Sequence, residues 1–215
     1  MKGKFIVFEG IDGSGTSTQS QLLFKYFSGK GKKPHLTCEP SNGPIGDLIR
    51  QIFKGRISMP KGQNPLTTSA DLFDEQMAYL FAADRHDHLF NAVDGVISLI
   101  NKGYIVISTR YFFSSYAYHC TTESDVNFVK TLNEKFPNPD LVIYLDNPTA
   151  VSVSRIDERV FKDEYENSGK LIKAKENYDS LFKNYEGDLL ILNATDKVEK
   201  IHRKIIEHVE RTIDN

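Results

Sequence analysis

The stretch Phe8 to Gln19, FEGIDGSGTSTQ, decides how the rest of the chain is read. It closes an apolar run, KFIVFE at residues 4–9, and leads into a segment whose Leu22, Leu23, Tyr26 and Phe27 recur at helical spacing before Gly29 and Gly31. A glycine-rich turn between a strand and a helix is the setting of a phosphate-binding loop. Glycines let successive backbone N–H groups point at one anion, and the helix N-terminus adds its partial positive charge. Gly10 and Gly15 frame the turn, with Asp12, Gly13 and Ser14 inside it and Thr16, Ser17 and Thr18 opening the helix. The Ser17 hydroxyl is placed for a magnesium coordination position. The full pattern carries a lysine after the last glycine, and here Thr16 stands instead. The loop is therefore open to two readings, a phosphate site that has changed or a glycine-rich turn of no consequence.

Four further apolar runs rich in β-branched residues follow: PHLTCE (34–39), YIVIST (104–109), LVIYLD (141–146) and LLILNA (189–194). Runs of this kind suit strands covered on both faces. With helical segments between them they predict a five-stranded parallel sheet with helices on both faces, an open three-layer α/β fold. Ligands of such sheets bind at the carboxyl ends of the strands, where Glu9, Glu39, Thr109 and Asp146 form a polar rim. At 215 residues, 40% of them hydrophobic, the chain suits one domain, and its net charge of −2 offers no bulk attraction for nucleic acid. No apolar run approaches the roughly 18 residues of a membrane span, and the opening residues reach Glu9 too soon for a signal peptide, so a cytoplasmic protein is expected. Cys38 and Cys120 have no metal spacing and are expected to remain small thiols.

Two regions depart from this alternation. Residues 54–68 hold glycines, prolines and polar residues and read as a loop before a long helix. Residues 155–169 are densely charged with few apolar anchors, which suggests a mobile lid or a solvated helix face.

Five motifs in order make the chain resemble the thymidylate kinases. FEGIDGSGTSTQ is similar to their phosphate loop, and TCEPSNGPIGDLIR to their TREPGG segment with its following helix. YLFAADRHDH matches LLFAADR, TRYFFSSYAYH matches DRYxxSxxAYQ, and SRIDERVFKDEYE matches the arginine-bearing lid. The resemblance runs nearly end to end. It implies a P-loop NTPase fold with a mobile lid, ATP and Mg²⁺ as donor and cofactor, dTMP as acceptor, and a homodimer; neither nucleic acid nor membrane is implied.

The same resemblance implies individual roles. Phe81 stacks on the base and Arg85, four residues on and so on the same helical face, bonds its edge. Arg110 takes the acceptor phosphate, for which a guanidinium is suited by its paired donors. Asp12 contacts the sugar, Ser114 and Tyr118 line the nucleoside, and Tyr118 crowds out a ribose 2′-hydroxyl. Glu39 joins the acceptor site, and His119 stands where the family has glutamine. Asn193 to Thr195 are candidates for the adenine side. From the residues alone, Phe81 also reads as a core aromatic, Arg85 as a salt-bridge partner, and Asp12 as an Asx turn. His86 and His88, two apart, point to different sides of a helix and make a poor metal pair.

Three departures cluster at the site: Thr16 for lysine, Thr109 for the Asp of DRY, and Cys38 for the Arg of TREP. Losing one stabiliser of transition-state charge costs about 2.7 to 4 kcal/mol, which motivates a non-catalytic alternative. A kinase for another deoxynucleoside monophosphate is the other. Yet exchanging Lys and Asp together for two threonines leaves the local charge unchanged, as a coupled replacement would. Arg155 and Arg159, one turn apart if helical, with Lys162 following, are the expected source of positive charge during transfer.

Overall fold

The computed structural model describes residues 3–66, 71–158, 163 and 165–213. Five strands form one sheet: β1 (Lys4–Glu9), β2 (Pro34–Cys38), β3 (Ile105–Thr109), β4 (Leu141–Asp146) and β5 (Leu189–Asn193). All neighbours are parallel, in the order β2-β3-β1-β4-β5. The expected runs and the observed strands differ by a residue at most at each end. Around the sheet run α1 (Thr16–Gly29), α2 (Pro44–Phe53), α3 (Leu72–Phe90), α4 (Val96–Asn101), α5 (Phe112–His119), α6 (Glu123–Asn133), α7 (Thr149–Asp157), α8 (Ser168–Lys183) and α9 (Val198–Ile213).

Alternation along each strand divides the core in two. Ile6, Phe8, Ile107, Ile143 and Leu145 face one layer, where Leu23 and Phe27 of α1 meet Ile201, Ile205 and Val209 of α9. Phe5, Val7, Val106, Val142 and Tyr144 face the other, against Ile49, Met77, Phe113, Tyr178 and Phe182 from α2, α3, α5 and α8. Each such side chain contributes roughly 1.5 to 3 kcal/mol when fully buried. Because apolar residues are needed on both faces, the inner strands β1, β3 and β4 read as nearly continuous apolar runs.

Register brings the carboxyl ends level. Phe8 pairs with Thr109, Thr109 with Cys38, and Asp146 with Asn193. Cys120 is buried, whereas Cys38, at the end of the outer strand β2, is half-buried, with its thiol on Pro40 O. The stretch between Phe53 and Leu72 holds no named helix or strand among its described residues. It returns to α3 through a bridge of Gln63 to Asp71, whose carboxylate caps the helix at Phe73 N–H, 2.9 Å. Residues 67–70 lie outside the description.

The segment expected as the lid joins two helices. α7 continues to Asp157 and α8 begins at Ser168, so both ends of the expected 155–169 segment are helical. Its second half is also anchored. Tyr165 is buried in edge contact with Phe53 and Phe73 and stacked on Tyr118, and its hydroxyl donates to Asp74 at 2.9 Å. One aromatic among many charges suffices, because it fills a hole that other elements have lined with rings. Arg159 and Lys162 lie outside the described residues, so the expected basic stripe is represented here by Arg155 alone.

Candidate active site

The phosphate loop is the turn between β1 and α1. Gly13 and Gly15 have φ of 82° and 98°, a left-handed backbone that glycine adopts without a Cβ penalty, and Gly15 leads straight into α1. A cavity of about 500 Å³ opens over the loop. Residues 12–19 line it, joined by Glu39, Thr109, Arg110 and Arg155, and on the far side by Ala194, Asp196, Val198 and Ile201. Thr16 and Thr109 thus face one space, as their proposed exchange requires. Among the described lining residues the cations are Arg110 and Arg155.

Arg155, in the last turn of α7, donates from Nη1 to the carbonyl of Gly13 at 2.8 Å. A Cβ on Gly13 would stand 3.1 Å from Ser152 O, so the missing side chain is what lets α7 lie against the loop. A nucleotide polyphosphate fits this cradle of turning backbone and helix terminus. The Ser17 hydroxyl lies in the first turn, as a magnesium position needs; no cluster of three or more metal-ligating side chains occurs among the described residues. Mg²⁺ is bound through few protein groups and largely through phosphate oxygens and water, so a single hydroxyl is a sufficient protein contribution. Of the residues expected on the adenine side, Ala194 lines the cavity, while Asn193 turns its side-chain oxygen onto Thr195 N–H and hydroxyl.

A second cavity of about 790 Å³ shares two of these residues, Asp12 and Arg110. Arg110 is the one described non-glycine residue at positive φ, 70°. Such a backbone costs of order 1 to 3 kcal/mol and persists where its surroundings enforce it. Here Arg110 N–H bonds Phe8 O at 2.8 Å and Ser108 Oγ bonds Arg110 O at 2.9 Å. The turn throws the side chain across the strand ends. Its guanidinium pairs with Asp12 at 2.5 Å, reaches Ser114 Oγ at 3.1 Å and lies 5.0 Å from the ring centre of Tyr118. The Tyr118 hydroxyl donates to the other Asp12 oxygen at 2.8 Å. Burial and the Asp12 charge hold that phenol above its ordinary range, so it remains a donor.

The second cavity is walled by rings. Phe53 and His119 each lie between Phe81 and Tyr165, with centroid separations of 6.1 and 5.1 Å for Phe53 and 5.4 and 5.8 Å for His119. A planar base can be held by stacking in such a box. Burial, then the charges of Lys170 and Arg85, keep His119 neutral, and its buried Nδ1 has no hydrogen-bond partner. Asp163 also lines this cavity; burial and the nearby Asp12 push its carboxyl up to about 6. Arg50, Lys54 and Arg56 add positive charge to the lining.

Arg85 takes up the ion pair that its residue type also allowed. It is fully buried behind the cavity wall, donating from Nε and Nη2 to Glu39 Oε2 at 2.9 and 2.6 Å, from Nη1 to Asn133, and from Nη2 to Ser115 at 3.3 Å. Four of the five guanidinium hydrogens are thereby engaged. The other Glu39 oxygen meets His88 Nδ1 at 3.2 Å, and His88 Nε2 meets Thr37 at 2.8 Å. His86 instead packs on Phe90, so the two histidines do part as their spacing predicts.

Sequence reasoning named neither Glu9 nor Tyr178 as site residues. Glu9 lies buried beneath Arg110, with Ser114 and Tyr178 both donating to one of its oxygens, at 2.8 and 2.7 Å. An acid closing a strand was its only signal. Tyr178 repeats at helical spacing with Leu171 and Ala174 and is indistinguishable from core by pattern.

Residues 8–205 match the family model described as Thymidylate kinase. A protein named "Probable thymidylate kinase" from Thermococcus gammatolerans is 38% identical over 212 residues, covering 98% of each chain. The protein of that name from Thermococcus kodakarensis is 39% identical over 208 residues, 96% of this chain and 97% of its own. One from Pyrococcus horikoshii is 36% identical over 214 residues, 99% and 98%.

Proposed function

Because the chain belongs to the thymidylate kinase family, we propose that it transfers the γ-phosphoryl group of ATP to dTMP, giving dTDP. The observation that carries this reading is the sharing of Asp12 and Arg110 by two cavities, one built on a phosphate loop and one walled by rings. Two phosphate-bearing ligands seated in them would meet at Arg110. That juxtaposition is the main requirement of phosphoryl transfer, in which the protein contributes positioning and charge.

In the donor cavity, backbone N–H groups from Gly13 to Thr18 bind the polyphosphate, and Ser17 would hold the Mg²⁺, which supplies charge neutralisation across the phosphates. In the acceptor cavity Phe81 stacks on the base, opposite Tyr165. Tyr118 and Asp12 bound the sugar, Ser114 supports Arg110, and Arg110 takes the phosphate. Arg85 has one Nη1 hydrogen left for the base edge, and its larger role is to hold Glu39 at the rim. Arg155, already on the loop carbonyl, and Arg159 are the proposed cationic contributors in place of the lysine. The single-domain organisation, the cytoplasmic location and the homodimer belong to the same reading; light scattering on the purified protein checks the last.

A coupled ADP-release assay with dTMP and MgATP tests the activity. Turnover at saturating substrates is expected; a rate no faster than buffer, from protein shown to be folded, overturns it in favour of a non-catalytic binder. Running dUMP, dCMP and dGMP beside dTMP separates the acceptor, a comparison made pertinent by His119 on the cavity wall.

A further inference from the structure

We propose that Glu9 is a positioning residue which, through Ser114, sets Arg110 to meet the acceptor phosphate and ties that arginine to α8. The inference rests on the acceptor role of Arg110 proposed above.

Glu9 ends β1, is completely buried and lines neither cavity. One carboxylate oxygen accepts Tyr111 N–H at 2.8 Å; the other accepts the hydroxyls of Ser114 and Tyr178. Ser114 Oγ is also 3.1 Å from Arg110 Nη1 and 2.9 Å from the Tyr178 hydroxyl. Two hydroxyl hydrogens serve three contacts here, and the arrangement that satisfies both contacts to Glu9 is the one in which each hydroxyl donates to it. A guanidinium only donates, so Ser114 must accept from Arg110. Its single hydrogen is then free for Glu9, which as a carboxylate only accepts. Glu9 therefore determines which way the Ser114 hydroxyl points, and hence whether Arg110 finds a lone pair or a hydrogen there.

The path continues to the return side of the lid. Tyr178 belongs to α8, whose N-terminal turn is fastened beside the acceptor cavity by Lys170 on Asp74 at 2.5 Å, the same Asp74 that receives Tyr165. A carboxylate beneath the phosphate arginine thus joins β1, α5 and α8 at one point.

Replacing Glu9 by glutamine keeps size and removes this logic. The fixed Tyr111 N–H claims the amide oxygen, so the amide hydrogens face the two hydroxyls, which must turn to accept. Ser114 then accepts from the amide and its hydrogen must turn toward Tyr178 or Arg110, so Arg110 no longer meets an acceptor fixed by position 9. The groups facing Glu9 are Arg110, Tyr111 and Ser114 around the start of α5 and Tyr178 from α8, with Asp12 and Tyr118 behind Arg110. Burial pushes the Glu9 carboxyl up to about 7, against the pull of Arg110 and the three hydrogen bonds, so it titrates where the enzyme can be assayed. Removing one hydrogen bond to the charged form, as in Tyr178→Phe, raises that value further.

The test is steady-state kinetics from about pH 5.5 to about 8.5 on wild type, Glu9→Gln and Tyr178→Phe, with thermal unfolding of each. In wild type the KM for dTMP is expected to rise as pH falls through about 7. Glu9→Gln should raise that KM about tenfold at high pH and abolish the ionisation, with the KM for ATP changed less than about twofold. Tyr178→Phe should move the ionisation to higher pH, which a purely structural role would not do. Equal increases in both KM values, or an ionisation that persists in Glu9→Gln, would overturn the inference and leave the proposed function standing. A folded wild type without dTMP turnover would remove both. Where Glu9→Gln does not fold, the direction of the Tyr178→Phe shift decides: a rise supports the inference and no shift overturns it.

Discussion

The two cavities that meet at Arg110 are made of different material. The donor cavity is chiefly backbone, a turn of glycines and the first turn of α1, whereas the acceptor cavity is chiefly side chain, an aromatic box with a charged corner. Any sequence that keeps the turn keeps its N–H groups and its helix terminus. On the proposed function, Thr16 in place of a lysine therefore leaves the cradle of the phosphate site standing. An aromatic wall or a buried guanidinium has no such substitute, and each exchange there is felt in full.

The comparison can be broken or sharpened by substitution. The largest effect is expected at Arg85→Ala, which strands the buried Glu39 carboxylate; denaturant unfolding should show a loss of about 3 to 5 kcal/mol, and a loss below 1 kcal/mol would show that Glu39 finds another partner. Next comes Arg110→Ala, with a fall in kcat/KM for dTMP of roughly 10²- to 10³-fold and little change in the KM for ATP. Equal losses for both substrates would mean that the two cavities are not separable at this residue. Arg110→Gly should be as inactive yet more stable than Arg110→Ala in thermal unfolding, because glycine relieves the φ of 70°.

Smaller effects probe the donor side. If Thr16 and Thr109 are a coupled exchange, Thr16→Lys alone should fail to raise activity. Thr16→Lys with Thr109→Asp should exceed the two single changes combined by a coupling of about 0.5 to 3 kcal/mol. Additivity in that kinetic cycle would remove the coupling. The smallest effect concerns acid stability. His119 is buried neutral, with its ionisation pushed well below the ordinary value of 6.5. The unfolded chain then binds more protons below about pH 6.5, and stability is lost as pH falls through that window, by up to about 1.4 kcal/mol per pH unit. Glu9, raised to about 7, acts in the opposite sense, losing stability as pH rises from about 4.5 toward 7. The difference between wild type and His119→Gln in urea unfolding at about pH 5 and about pH 7 isolates the first contribution; an unchanged difference would mean that His119 is not held neutral.

The parallel sheet was legible because strands buried on both faces cannot disguise themselves with polar alternation. The loop was legible because only a few residues permit its turn, and Arg110 because it follows a strand at the edge where ligands bind. The anchoring of residues 155–169 at Tyr165 was not legible, for a physical reason. A charged segment with few apolar residues looks unanchored until Phe53, Phe73 and Tyr118, brought from elsewhere in the chain, surround Tyr165. Arg85 reads equally as a base reader or an ion-pair partner until β2 places Glu39 beside it.

The amino-acid order by itself therefore determined the sheet and the glycine-rich loop, which depend on local backbone permissions and on burial periodicity, whereas Phe81, Ser114 and Tyr118 were legible only through the family resemblance. Only the tertiary structure decided which charges are paired and which way each hydroxyl points. Glu9 meets Ser114 and Tyr178 across 105 and 169 residues of chain. Hydrogen bonds depend on separations of a few tenths of an ångström between atoms that packing alone brings together, and no spacing along the chain encodes them.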